Sequence, residues 1–473
     1  MKKVIPIVLV LAGLATGFLL WQKASKTAAL VSDATPDIPT SVENPELLNR
    51  IQTATTQAKE GPEAVKGLAE LSRLYHANGF TREAWQCYAA LVLAEPSEAR
   101  WPYHFGRILA GYGQLEEATP YFEKARELAP DYIPARIRLG DTLLKQNRFE
   151  EAKNVYANTL SKDDSNAYAL VGLARVAISN EDWSQARTHL EKAVSLTNYQ
   201  IGADLLGDVY KRLNLPHLEN RILQTIVWGS YADIPDPWSL SLMNDSYDAY
   251  QVSIAGGWTV HQGDVRTGLR YVQRAVKLDP DSSTLHFQLA GVYMKLGQID
   301  DAETHYQLCV KLQPDFADAW LGLIEIAKQR QSPTLVRRTL QSALRAAPDS
   351  PSLNIEKGDL LLAQKQFDQA IAAYKKSIEV RPQEAVGYIS LAQAYLAQNR
   401  VEEGVEQMRE ALQREPHNLI ALTAVLYDAI SRSDKKESDY WFARVRQLPR
   451  IGVTGVDPLE NMYRQAFRSE PPQ

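Results

Sequence analysis

The sequence predicts an all-α solenoid, a row of stacked helical hairpins, and three observations carry that prediction. Five prolines, Pro280, Pro314, Pro348, Pro382 and Pro416, recur every 34 residues, a regularity that proline at about 5% of residues does not produce by chance. Small side chains stand in fixed columns before them: Gly268, Ala302, Ala370 and Gly404 twelve places back, with Val336 the exception; Ala275, Cys309, Ala343, Ser377 and Ala411 five places back; Gly256, Ala290, Gly358 and Ala392 twenty-four places back. A large residue stands eight places back at Tyr306, Leu340, Tyr374 and Met408. Small columns let two helices approach closely and the large one fills the space between them. Each unit therefore reads as a helix, a short turn at Gly263, Gly297 or Asn399, a second helix, and a proline that stops it.

Several columns agreeing at one period make the chain resemble the tetratricopeptide repeat (TPR) family. The resemblance implies a right-handed TPR superhelix whose first helices line a concave face, and protein or peptide segments as its ligands. The chain divides, in order, into seven stretches.

Residues 1–23 open with Lys2 and Lys3 and continue as an uncharged apolar run from Val4 to Trp21, near the length that crosses a bilayer. Phe18, Leu19, Leu20 and Trp21 extend the run past Ala15-Thr16-Gly17, the best small-residue cleavage site. An uncleaved signal anchor, a transmembrane helix, is therefore expected in preference to a removed signal peptide. The positive charges preceding the run favour an inside start and an outside body. Residues 24–43, rich in Ala, Thr, Ser, Asp and Pro without apolar periodicity, read as a flexible tether.

Asn44-Pro45-Glu46 is a helix start, and Leu47, Leu48, Ile51, Ala54 and Ala58 form one stripe, so residues 44–62 are expected to cap the first repeat. The first block, 63–226, holds four regular repeats and a divergent fifth. Pro130 and Pro280 are separated by four periods plus 14 residues, which places an insertion in that fifth repeat. The insertion, 227–248, contains Ile234-Pro235-Asp236-Pro237-Trp238 and cannot be a regular helix. It looks like a Pro-Asp-Pro-Trp insert of some large bacterial TPR proteins, a few of which carry c-type haem modules. This chain has no Cys-x-x-Cys-His, so it holds no such haem. The second block, 249–449, contains the five strongest repeats and a weaker eleventh. The tail, 450–473, carries one short helix from Asp457-Pro458 that covers the last apolar face.

The formal net charge of −5 is spread along the chain without a Lys or Arg run, which argues against nucleic acid. Cys87 and Cys309 occupy repeat columns far apart and form no metal spacing. The eight histidines are scattered, and no phosphate loop, nucleophile elbow or metalloprotease motif is present. No catalytic set, cofactor site or metal site is expected, and the chain reads as no enzyme.

Binding is what remains. The ninth column of the first helices in the first block reads Arg73, Arg107, Asp141, Arg175 and Asp208. Arg73, Arg107 and Arg175 are candidates for holding an acidic segment; the alternative is a charge ladder with Asp141 and Asp208. Trp238 marks a contact loop or hinge, or else packs over a distorted helix pair. Phe287 and Met294 make the second block's inner face apolar, suited to a peptide or to packing within the groove. The whole reads as a membrane-anchored TPR scaffold for protein–protein interaction, at the bacterial inner membrane with its repeats in the periplasm. An accessory subunit of an envelope enzyme or electron-transfer system, and a secreted binding protein, are the alternatives.

Overall fold

A residue with left-handed backbone recurs along the chain at Gly79, Gly113, Asn147, Glu181 and Asn214, then at Gly263, Gly297, Gln331, Lys365, Asn399 and Ser433. Each closes the tight turn between two antiparallel helices. The sequence pattern points to Gly263, Gly297 and Asn399 among them as turn residues. The computed structural model describes residues 25–60, 63–197, 199–223, 234–446, 456–469 and 471, and among these it contains helices and turns but no strand.

Repeats one to five pair Ala64–Ala77 with Thr81–Ala94, Arg100–Gly111 with Leu115–Leu128, Ile133–Lys145 with Phe149–Leu160, Ala167–Ser179 with Trp183–Leu196, and Gln200–Arg212 with the shortened Pro216–Leu223. Repeats six to eleven pair Ala249–His261 with Val265–Leu278, Ser283–Lys295 with Ile299–Leu312, Ala317–Gln329 with Pro333–Ala346, Pro351–Ala363 with Phe367–Val380, Ala385–Ala397 with Val401–Arg414, and Leu419–Ser431 with Lys435–Arg446. The columns have a direct physical meaning. A Cβ on Gly358 would lie 2.3 Å from the ring of Tyr374, and one on Gly322 would lie 2.5 Å from the ring of Tyr306, so the large column occupies the space that the small column leaves.

The chain forms two compact bodies, one up to Leu278 and one from Asp279 onward. The division falls one repeat after the insertion, so repeat six belongs with the first block. The first core of the N-terminal body is continuous from Val31 and the capping helix Pro45–Glu60 into the first helix of repeat four and includes Ile234 of the insertion. In the C-terminal body the helix Val456–Phe467 covers the last repeat: Tyr463 is fully buried against Phe442, with ring centroids 5.6 Å apart.

The expectation of a flexible tether changes. Residues 25–34 of the expected tether are helical, Val31 and Val42 are buried, and Ala34 and Ile38 pack beside them on the first core. Val31 and Ala34 lie in this helix and Ile38 in the stretch after it, and the buried Thr35 hydroxyl is satisfied by donating to the Val31 carbonyl at 2.7 Å. The stretch is a packed arm. The expected span of residues 1–23 lies outside the described residues; among those described, no helix is long and apolar enough to cross a membrane.

Candidate functional site

The first helices of repeats one and two present Arg73, Tyr103 and Arg107 on one face, and Tyr132 precedes the first helix of repeat three. Across this face lies the described part of the insertion, residues 234–248. Asp236 anchors it. The side chain is only 8% exposed, yet it accepts hydrogen bonds from the Tyr103 and Tyr132 hydroxyls, both at 2.5 Å, and from the Ser239 hydroxyl at 2.6 Å and amide at 3.0 Å. Arg107 adds an ion pair at 3.3 Å and also donates to the Ser239 hydroxyl. Burial pushes the Asp236 carboxyl upward, but the Arg107 guanidinium and the hydroxyls of Ser239, Tyr103 and Tyr132 together outweigh it and hold the group below the usual range. The same arrangement drives the Tyr103 and Tyr132 phenols up, by burial first and the Asp236 charge second.

Trp238 stacks on Tyr132 with centroids 3.5 Å apart and planes at 14°, and meets Tyr103 edge-on at 5.3 Å. Its amide donates to the Tyr132 hydroxyl at 3.1 Å. Seven residues further on, the Asp245 carboxylate accepts from Arg50 at 2.8 Å and from Arg73 at 3.1 Å. Asn78 holds the main chain itself: its side-chain amide donates to the Asp245 carbonyl at 2.9 Å, and its oxygen accepts from the Tyr247 amide at 2.7 Å. On the opposite side, repeat six ties the insertion down through Tyr271 to the Leu240 carbonyl at 3.0 Å and Arg274 to the Ser246 carbonyl at 2.6 Å.

Beneath the docked segment sits a buried aromatic group. His104 stacks on Tyr88 at 5.4 Å, and His76 bonds the Tyr88 hydroxyl at 3.2 Å. Burial, aided by the nearby Arg107 charge, pulls His76 down to about 4 and His104 well below its ordinary value. The His104 Nδ1 is buried with no hydrogen-bond partner among the described residues. Two clefts flank the insertion: one of about 570 Å³ reached by His76, Arg107 and Tyr247, and one of about 380 Å³ bounded by Arg138 and Trp258.

The candidate residues thus have distinct settings. Arg73 and Arg107 do hold an acidic segment, and it is the chain's own. Arg175 pairs with Asp141 at 3.4 Å, a rung between repeats three and four. Trp238 seats on the first-helix face of the early repeats. Phe287 packs on Phe316 at 5.1 Å and on Tyr306, and Met294 joins the same cluster, so both contribute to packing in the C-terminal body. Sequence reasoning singled out Trp238 and the arginines but missed Arg50, Asn78, Tyr132, Asp236 and Asp245. The available signal was Asp236 inside the Pro-Asp-Pro-Trp run: a carboxylate between two prolines beside arginines at repeat spacing.

Two sequence profiles described as Tetratricopeptide repeat match the chain, one at residues 109–164, 260–308 and 361–426, the other at 137–201 and 288–351. Together they span just over half of it. The chain is 22% identical to Protein CTR9 homolog of Arabidopsis thaliana, over 68% of this chain and 30% of that protein. It is 21% identical to DnaJ homolog subfamily C member 3 of Homo sapiens, over 66% of this chain and 65% of that one, and 22% identical to Cellulose synthase operon protein C of Pseudomonas fluorescens, over 82% and 28%. The chain therefore spans less than two thirds of each of these relatives. Among solved structures, yeast Tom70 matches with a TM-score of 0.41 at 15% identity, covering 87% of this chain and 98% of that one. The chain belongs to the tetratricopeptide repeat family.

Proposed function

We propose that the chain is a membrane-anchored scaffold that recruits protein partners at a cell envelope, held to the bilayer by residues 1–23. One observation carries the recruiting role. On the first helices of repeats ten and eleven, Val386 and Ile420 occupy the same column one period apart, and Tyr427 stands about two turns further along the later helix. All three are exposed, Ile420 at 54% and Tyr427 at 55%. In the N-terminal body the column of Tyr427 is held by Arg73 and Arg107, which pair with the insertion; in repeats ten and eleven apolar side chains at repeat spacing meet solvent, which suits an amphipathic helix or an extended peptide.

The test is crosslinking with partner identification on membranes from the native cell, comparing wild type with a Val386→Asp, Ile420→Asp variant. Loss of a defined partner, with the melting curve unchanged, is the expected result. An unchanged partner set removes this face from the function. N-terminal sequencing of the membrane fraction tests the anchor in the same preparation: an intact start supports it, and a start beyond residue 23 converts the reading to a secreted binding protein.

A further inference from the structure

The contacts of residues 234–248 are chemically those of a bound peptide. Two carboxylates meet guanidinium groups, one indole stacks on a tyrosine, and one asparagine side chain reads a main-chain carbonyl and amide without regard to side-chain identity. The receiving groups Arg73, Tyr103 and Arg107 stand on first helices, the face on which this fold presents side chains to a ligand. Ile234 and Leu242 are buried, but the segment is not sealed along its length. Clefts of about 570 and 380 Å³ remain on either side of the segment, and the three arginines paired with its carboxylates, Arg50, Arg73 and Arg107, keep roughly a third of their side-chain surface exposed.

We infer that the first-helix face of repeats one to three is a receptor for short protein segments in which a carboxylate caps a single helical turn and stands two residues before a tryptophan, as Asp236 caps Pro237–Ser241, and that residues 234–248 are its resident competitor. Arg107, with the Tyr103 and Tyr132 hydroxyls, reads the carboxylate, the Tyr132 ring reads the indole, and Asn78 holds the main chain downstream. A partner segment gains this face only by displacing the cis copy, whose covalent attachment gives it a high effective concentration. Binding in trans to the wild-type chain is therefore weakened by the fraction of time that the face is filled. This inference concerns the N-terminal body and stands apart from the reading of repeats ten and eleven, which is tested with different variants.

The experiment measures fluorescence anisotropy of a labelled peptide with the sequence of residues 234–248, titrated with the full chain. Three proteins are compared: wild type, a release variant Asp236→Ala with Trp238→Ala, and the release variant with Arg107→Ala added. The release variant is expected to bind the peptide about tenfold or more tighter than wild type, and the added Arg107→Ala to erase the gain. A release variant that keeps wild-type ellipticity but binds no tighter overturns the proposal, as does a gain that survives Arg107→Ala. Should the release variant lose helix, hydrogen exchange of the wild-type chain decides. Excess peptide is expected to speed exchange of the amides from Trp238 to Tyr247, and unchanged exchange at millimolar peptide overturns the proposal.

Discussion

Asp236 shows how a single carboxylate organises the region around it. It is buried, ionised and satisfied from both sides, by the repeats and by its own segment. Removing it strands the Arg107 guanidinium and two tyrosine hydroxyls, and breaking a buried pair from one side costs about 3 kcal/mol. Asp236→Ala is accordingly expected to lower the unfolding free energy of the N-terminal body by that order, measured by urea denaturation. Because the folded-state carboxyl is depressed below its ordinary value of 3.8, this stabilisation is complete above about that pH and is lost only as pH falls through the lower folded value. Mild acid acts elsewhere. His76 and His104 are held neutral, with His76 down to about 4 against an ordinary 6.5. The unfolded chain takes up their protons first, so their contribution is full above pH 6.5 and declines as pH falls from there. His104→Phe retains the stacking on Tyr88 and removes the unpartnered nitrogen; it is expected to reduce the slope of stability against pH between 6.5 and 5 by up to about 1.4 kcal/mol per pH unit. Urea titrations at several pH values check this.

At the scale of the element, the helices follow from columns of size more than from residue identity. Gly358 and Gly291 lie on first helices two repeats apart, and substitution by alanine should act in opposite directions. At Gly358 the new Cβ meets Tyr374, and overpacking of about 1 to 3 kcal/mol is expected. At Gly291 that Cβ would meet no atom of another element within 4 Å among the described residues, so the helix propensity of alanine is expected to raise stability by about 1 kcal/mol. Thermal melts of the two single variants distinguish the cases. The size columns were legible in the sequence because close approach restricts volume, and volume restricts residue type. The left-handed turn column was only partly legible, because Glu181, Gln331, Lys365 and Ser433 occupy it without a glycine or asparagine, the surrounding helices imposing the conformation. The packed arm at residues 25–34 escaped because its stripe is short and lies among polar residues. The docking of the insertion escaped for a different reason: pairing of Asp245 with Arg73 joins residues 172 positions apart, and no local pattern encodes such a meeting.

For the whole molecule, an array of repeats requires closed ends, and both termini of this one supply them. At the start, Pro45–Glu60 and the arm lie on repeat one. At the end, Tyr463 is buried on repeat eleven, with its hydroxyl bonded to Lys435 at 2.8 Å and to Asp439. Tyr463→Ala is expected to cost about 3 to 5 kcal/mol and to expose Phe442, which light scattering registers as self-association and urea denaturation as lost stability in the C-terminal body. The scaffold reading places recruitment by repeats ten and eleven beside this cap, so the two tests are made on separate variants.

The carbonyl of five of the recurring prolines is closed by a side chain six residues later: Arg136 on Pro130, His286 on Pro280, Trp320 on Pro314, Asn354 on Pro348 and Tyr388 on Pro382. Five different residue types perform one task, offering a hydrogen to an oxygen that ends the preceding helix. Lys162, Lys376, Arg414 and Arg444, from the second helices that follow, reach the same row of oxygens. A module of this protein therefore does not finish at its proline, because its last carbonyl is sealed by the opening turn of its successor. Anyone splicing these repeats into a new array should place the joint beyond that donor, within the next helix, so that each transplanted piece brings both halves of its seam.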